Sequence, residues 1–273
     1  MKPEENPHQK RLEFASGLAR KVGREALRFW QEKGSANLGV ENKGLQDFVT
    51  VADKAAEDTI RRALMETFPD DGFLGEETGG KAGTGGTWIV DPIDGTANYL
   101  RGLRHWGVSI AYVEDGVTVI GVIHDSPNDR IFAASLNGGA TVDGVALKVA
   151  PTAKPEMATG ILGASRRTPI DPFLAQIRAL HSAGFEYRKI GAAAIGIIRV
   201  AEGVADFYYE DPLNCWDALA ALLIANEAGA RVITPPMDQF VAKGGEVFCA
   251  TPALSDQLES ILVGTSGFSE SSS

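Results

Sequence analysis

The first apolar pattern in the chain is helical. Leu12, Ala15, Leu18, Ala19, Val22, Ala26, Leu27 and Trp30 recur at three- and four-residue intervals, which predicts an amphipathic opening helix over 11–31. A second stripe, Ala56, Ile60, Ala63, Leu64 and Phe68, predicts a helix over 53–68 that stops at Pro69-Asp70-Asp71-Gly72. The texture then changes. A glycine-rich connection over 79–86 leads into the strand-type run Thr87-Trp88-Ile89-Val90. β-rich runs at 107–113 and 117–123, parted by Glu114-Asp115-Gly116, predict a hairpin. A third strand at 130–135 extends it into an antiparallel meander, with weaker strand character over 140–150.

Beyond Pro151 the two periodicities alternate. Strands near 159–164, 185–190, 204–209 and 246–250 interleave with helices near 171–183, 192–202, 215–229 and 253–262. The expected organisation is an α+β lobe over 1–150, an α/β lobe over 151–265, and a serine-rich tail, 266–273, with nothing to bury.

Composition narrows the function classes. Hydrophobic residues at 44% and charged residues at 23% exclude a disordered or collagen-like chain. Cys215 and Cys249 stand in apolar runs without zinc-knuckle spacing, which suits a reducing compartment. Residues 1–7 are polar, and no stretch nears the roughly 20 apolar residues of a membrane span, so a soluble cytoplasmic protein is expected. The 26 Lys and Arg against 36 Asp and Glu give a net charge of −10, which repels nucleic acid and anionic lipid. An anionic substrate would therefore need a local reversal of the field, which bound divalent cations supply.

Candidate chemistry concentrates in Trp88-Ile89-Val90-Asp91-Pro92-Ile93-Asp94-Gly95-Thr96-Ala97-Asn98-Tyr99. The pattern predicts a buried strand ending at Asp91, a turn at Pro92, and a short helix opened by Gly95-Thr96. Two carboxylates at a strand end are hard oxygen donors of the kind Mg²⁺ takes, and free amides at a helix start suit a phosphate. The same dipeptides are also ordinary turn residues. Three further acidic segments weigh against that plainer reading: Asp47-Phe48-Val49-Thr50-Val51-Ala52-Asp53, Gly75-Glu76-Glu77, and Cys215-Trp216-Asp217. Asp217 begins an almost wholly apolar helix, so it serves either as a cap or as a ligand beside a compensating partner.

Together these four segments, in this order across about 13–262, resemble the inositol monophosphatase family of Mg²⁺-dependent, lithium-sensitive phosphatases. The resemblance implies a layered αβαβα fold of the sugar-phosphatase kind, a homodimer, and hydrolysis of a phosphomonoester with two or three Mg²⁺. It implies that Glu76, Asp91 and the Ile93 carbonyl bind one metal, and that Asp91, Asp94 and Asp217 bind a second. It assigns orientation of the attacking water to Thr96 with Asp53, a proton-accepting role to Glu76, and orientation of the ligands to Asp47 and Thr50. Asp94, Gly95, Thr96, Gly191, Ala192, Ala193, Glu210 and Asp217 are the implied substrate contacts, with Glu210 favouring a polyol. Lys43 is one residue out of the family spacing and stays outside the core set.

The expected substrate is myo-inositol monophosphate. Histidinol phosphate, fructose 1,6-bisphosphate and 3′-phosphoadenosine 5′-phosphate are rivals within the class, and a catalytically idle metal-binding module is the rival outside it. Ser165 borders the expected pocket, and Arg166 and Arg167 either meet a second anionic group or lie solvated. The four histidines are scattered and no zinc site is expected; His105 and His124 read as structural, and Trp88, Trp106 and Trp216 as core.

Overall fold

The computed structural model describes residues 8–34, 38 and 51–263, and the course of the backbone over 41–44 and 47–49. Helices α1 (Gln9–Lys33) and α2 (Val51–Thr67) stand where the 3.6-residue period places them. A hairpin between them, β1 (Glu41–Gly44) and β2 (Asp47–Val49), lies in a segment with no sustained apolar alternation. The buried stripes of α1 and α2 pack against each other and onto one face of an eight-stranded sheet.

That sheet comprises β3 (Gly72–Gly75), β4 (Gly79–Lys81), β5 (Thr87–Asp94), β6 (Gly107–Glu114), β7 (Val117–Asp125), β8 (Arg130–Ser135), β9 (Gly139–Val142) and β10 (Val145–Ala146). The short helix α3 (Thr96–Arg101) links β5 to β6. Spatial order is β10-β9-β8-β7-β6-β5-β3-β4, antiparallel throughout except for the parallel pair β3 and β5. The predicted meander is present as β6 to β8, continued by β9. Strands β3 and β4 were not foreseen, because Gly72-Phe73-Leu74-Gly75 begins and ends in glycine, a poor strand former, directly behind a turn signal.

The remaining elements are β11 (Thr159–Leu162), α4 (Ile170–Ser182), β12 (Glu186–Arg188), α5 (Ala193–Ala201), β13 (Phe207–Leu213), α6 (Cys215–Glu227), β14 (Arg231–Ile233), α7 (Met237–Lys243), β15 (Gly245–Ala250) and α8 (Pro252–Leu262). Their sheet has the order β12-β11-β13-β15-β14. β14 and α7 are too short to show a period and were not anticipated. The 266–273 tail lies outside the described residues.

Helices α5 and α6 fill the space between the two sheets, and α4 with α8 cover the outer face of the smaller one. The layers therefore run helix pair, sheet, helix pair, sheet, helix pair. This position explains why α6 is apolar on all sides: it meets β5 to β9 on one flank and β14 and β15 on the other. Trp88 and Trp106 are core residues, and buried His124 contacts Ser126 and Asp129, as structural residues do. Among the described residues no helix is long and apolar enough to cross a membrane.

One correction bears on the site. The apolar run was expected to end at Asp91 with a turn at Pro92, yet β5 continues to Asp94. Asp91 pairs with Ser109 and Asp94 with Gly107, so Pro92 and Ile93 together oppose Val108 in a β-bulge. A bulge tolerates proline because the local ladder is already interrupted. It also changes parity. Three residues apart in a regular strand, Asp91 and Asp94 would point to opposite faces; the extra residue restores both to one face, that of Ser109, whose hydroxyl donates to the Trp216 carbonyl on α6 at 3.0 Å. Strand β13 repeats the device, with Asp211 and Pro212 opposing Glu246 between the pairs Glu210–Val247 and Leu213–Gly245.

The seat of α6 is a close approach of backbones at Gly121 in β7, where a Cβ would stand 2.3 Å from the Ala220 carbonyl oxygen. Gly121→Ala is expected to force α6 off the sheet and to destabilise the protein by about 1–3 kcal/mol. Urea unfolding measures this, and an unchanged midpoint would show that the helix is seated elsewhere.

Candidate active site

Three carboxylates from three elements meet at one end of the larger sheet. Glu76 follows β3, where its amide extends the parallel pairing by donating to the Val90 carbonyl at 3.2 Å. Asp91 lies on β5 and Asp217 in the first turn of α6. One oxygen from each lies within 4.8 Å of the others. Asp91 is buried, and its Oδ1 accepts the Ile93 amide at 2.9 Å. Burial, followed by the charges of Glu76, Asp217 and Asp94, holds its carboxyl well above the ordinary carboxylate range. Asp217 is pushed up to about 7 by burial and by the charges of Asp94 and Glu210.

Near neutral pH such a group ionises fully only beside a cation, since burial and mutual repulsion both disfavour the charged form. An all-oxygen donor set of this kind fits a hard divalent cation and does not resemble a zinc or copper site. Asp217 also caps its helix: its Oδ2 lies 3.3 Å from the Asn214 amide nitrogen. Asn214 Nδ2 donates to the same oxygen at 3.3 Å, and capping and ligation are compatible because both donors occupy one of the two carboxylate oxygens.

Asp94 stands beside this trio but outside the 4.8 Å group. Its oxygens accept the amides of Ala193 at 2.8 Å and Ile195 at 3.2 Å, so it closes the open end of α5. Burial pushes it up to about 7 against the pull of those two amides. Ala193, one of the implied substrate contacts, thus already gives its amide to Asp94. Gly95 adopts φ 87°, and a Cβ there would meet Ala192 and the His105 carbonyl at 2.8 Å, so only glycine lets the β5–α3 turn lie against the start of α5.

The Thr96 hydroxyl oxygen is 3.0 Å from Asp53 Oδ1 and 3.1 Å from the Ile93 carbonyl oxygen; with a single hydrogen it donates to one at a time. Asp53 is buried in the first turn of α2. Asp47 is placed by its backbone on β2, paired with Gly44, and Lys43 lies on β1. Thr50 lies outside the described residues.

Glu210, on β13, is buried and accepts the Tyr208 hydroxyl at 2.5 Å. Its carboxylate lies over Gly163, where a Cβ would come within 2.0 Å of Oε2. Burial raises its pKa, opposed by the Tyr208 bond and by the charges of Lys189 and Arg167. Arg167 is exposed and donates to Asn214 Oδ1 at 3.0 Å, which ties the β11–α4 loop to the cap of α6. Ser165 and Arg166 are exposed in the same loop.

Two buried groups were missed at the level of sequence. Asn98 Nδ2 shares its hydrogens among the carbonyls of His105 at 2.7 Å, Ile190 at 2.8 Å and Gly191 at 3.2 Å, fastening α3 to the approach of α5. Glu57 on α2 accepts the amides of Glu77 and Thr78 immediately after Glu76. An Asn after a turn and a Glu in a helix are commonplace, so neither carries a signal of its own.

The family model for inositol monophosphatases matches residues 8–264. The chain belongs to the inositol monophosphatase family. The inositol-1-monophosphatase of Rhizobium meliloti is 32% identical over 232 residues, 83% of this chain and 86% of that protein. A Thermotoga maritima protein named fructose-1,6-bisphosphatase/inositol-1-monophosphatase is 32% identical over 222 residues, covering 81% and 84% of the two chains. The crystal structure of extragenic suppressor protein suhB from Bartonella henselae matches with a TM-score of 0.87 at 31% identity, over 94% of this chain and 99% of that one. The family is one of metal-dependent phosphatases, and the acidic trio is a group that could hold a metal ion.

Without metal, Asp94 and Asp217 hold their protons up to about pH 7 in the fold, against 3.8 ordinarily. A carboxyl with a raised folded pKa contributes most stability below its unfolded value and loses that contribution as pH rises through the folded one. In EDTA, therefore, Tm should fall between pH 5 and pH 8, and saturating Mg²⁺ should raise Tm more at pH 8 than at pH 5. Scanning fluorimetry at both values checks this; equal metal-induced shifts would contradict it.

Proposed function

We propose that this inositol monophosphatase family member hydrolyses a phosphate monoester of a polyol, myo-inositol monophosphate being the foremost candidate, and releases the polyol and orthophosphate with Mg²⁺ as cofactor. The observation that carries the reading is the convergence of Glu76, Asp91 and Asp217 beside the β5–α3 turn. Glu76, Asp91 and the Ile93 carbonyl would hold one cation, and Asp91, Asp94 and Asp217 a second. Bound there, the cations neutralise the ester's charge and acidify water.

The protein's own groups do the rest. Thr96 holds the attacking water through its hydroxyl oxygen while Asp53 receives the hydroxyl's hydrogen, an arrangement supported by the 3.0 Å contact between them. Glu76 accepts a proton, and Asp47 with Thr50 orients the ligands. Gly95 and Thr96 present amides to the phosphate. Gly191, Ala192, Glu210 and Asp217 face the alcohol portion, and Glu210, an acceptor-only carboxylate buried near Asp94 and Asp217, suits ring hydroxyls as donors.

A second reading, a bisphosphate substrate, is favoured by exposed Arg167 near Glu210 and by the double name of the Thermotoga maritima relative. Relative kcat/KM for inositol monophosphate, fructose 1,6-bisphosphate, histidinol phosphate and 3′-phosphoadenosine 5′-phosphate decides between the two. The family resemblance also underlies the proposals of a homodimer, lithium sensitivity and a cytoplasmic location. Light scattering, LiCl titration and fractionation test these in turn.

Asp91→Asn is expected to keep the fold by circular dichroism and to lower Mg²⁺-dependent phosphate release by at least about 10²–10³-fold. Unchanged turnover would remove the proposed centre, and an absence of release from the wild type at any Mg²⁺ concentration would favour an idle metal-binding module. Glu210→Gln should raise KM for inositol monophosphate several-fold while leaving p-nitrophenyl phosphate hydrolysis unaltered. Equal effects on both esters would count against a polyol contact.

A further inference from the structure

We infer that Glu57 is a positioning residue for the metal centre: from the inner face of α2 it grips the turn behind Glu76 and so sets the cation affinity of the acidic trio. The inference rests on the metal reading above. Glu57 is fully buried, with Oε2 accepting the Glu77 amide at 2.8 Å and Oε1 accepting both the Thr78 amide at 2.8 Å and the Thr78 hydroxyl at 2.5 Å. Three donors converge on two oxygens, and only a carboxylate offers acceptors on both.

The surroundings are shaped to this grip. A Cβ on Gly75 would stand 2.4 Å from the Glu57 carboxyl carbon, so glycine at the residue before Glu76 is what admits the carboxylate. Glu76 is consequently fixed on both flanks, by its own amide on the Val90 carbonyl and by Glu57 on the two amides that follow. Val90 in turn precedes Asp91, so the two ligands are referenced to each other through the backbone. One turn earlier on the same face of α2, Asp53 meets the Thr96 hydroxyl. A single rigid helix, seated in the core by Ala56, Ile60 and Leu64, thus spaces two loops of the site.

Removing a group that orients a ligand typically weakens metal binding about 10–100-fold. In Glu57→Gln one acceptor becomes a donor facing an amide hydrogen. Titration calorimetry with Mn²⁺ should show Kd raised about 10–100-fold. The Mg²⁺ concentration for half-maximal hydrolysis should rise in parallel, while kcat at saturating Mg²⁺ and KM for the ester change little. Thr78→Ala, at an exposed position, loses only the hydroxyl bond and should weaken Mn²⁺ binding a few-fold with Tm unchanged, which keeps the test decisive if Glu57→Gln does not fold.

A purely structural role lowers Tm in Glu57→Gln and leaves Mn²⁺ affinity alone. Wild-type affinity in both variants, or in Thr78→Ala where Glu57→Gln is unfolded, overturns the inference and leaves the phosphatase reading standing. A wild-type protein that takes up no Mn²⁺ overturns both.

Discussion

The structure is organised around an electrostatic debt. Asp91, Asp94 and Glu210 are buried and Asp217 is half-buried, and the charges of this group, with Glu76 at its edge, raise the proton affinity of Asp91, Asp94 and Asp217. No apolar packing offsets this repulsion. Either protons or cations must neutralise it, and near neutral pH a divalent ion is able to do so while leaving negative charge available to organise a reaction. The sheets and helices around the site hold these acids together against their mutual repulsion: strand pairing fixes Asp91, the capped start of α6 fixes Asp217, and the open end of α5 is satisfied by Asp94.

The layered architecture makes this possible. Asp91 belongs to the larger sheet and Glu76 directly follows its strand β3, while Glu210 belongs to the smaller sheet and Asp217 to the helix between them. Seating α6 on β7 at Gly121 therefore does more than complete a core, because it carries one carboxylate of the trio into register with another that lies more than a hundred residues earlier in the chain.

Much of this was legible in the sequence. The helical stripes of α1 and α2, the β6–β7 hairpin and the all-apolar α6 follow from periodicity, because each buries enough surface to impose its pattern locally. The acidic segments announced the site because Asp91, Asp94 and Asp217 sit inside apolar runs, where charge is costly and demands a reason. What escaped depends on partners remote in sequence. β3 is a strand only because β5 lies beside it, and Glu57 differs from any helical glutamate only because the turn behind Glu76 folds over it. The bulge was hidden for the same cause, since register belongs to a pair of strands and Pro92 alone reads as a turn.

That bulge makes the site a matter of counting as well as of chemistry. Asp91 and Asp94 share a face because one surplus residue lies between them, and Glu210 reaches the same interior from a strand with the same surplus. Exchange of Pro92 for another residue preserves the tally. Its deletion would turn Asp94 away from α5 at a stroke, even with every acid still in the chain. The inheritance of this centre is therefore tied to the spacing of its acids, and a single lost codon there would do what few substitutions can.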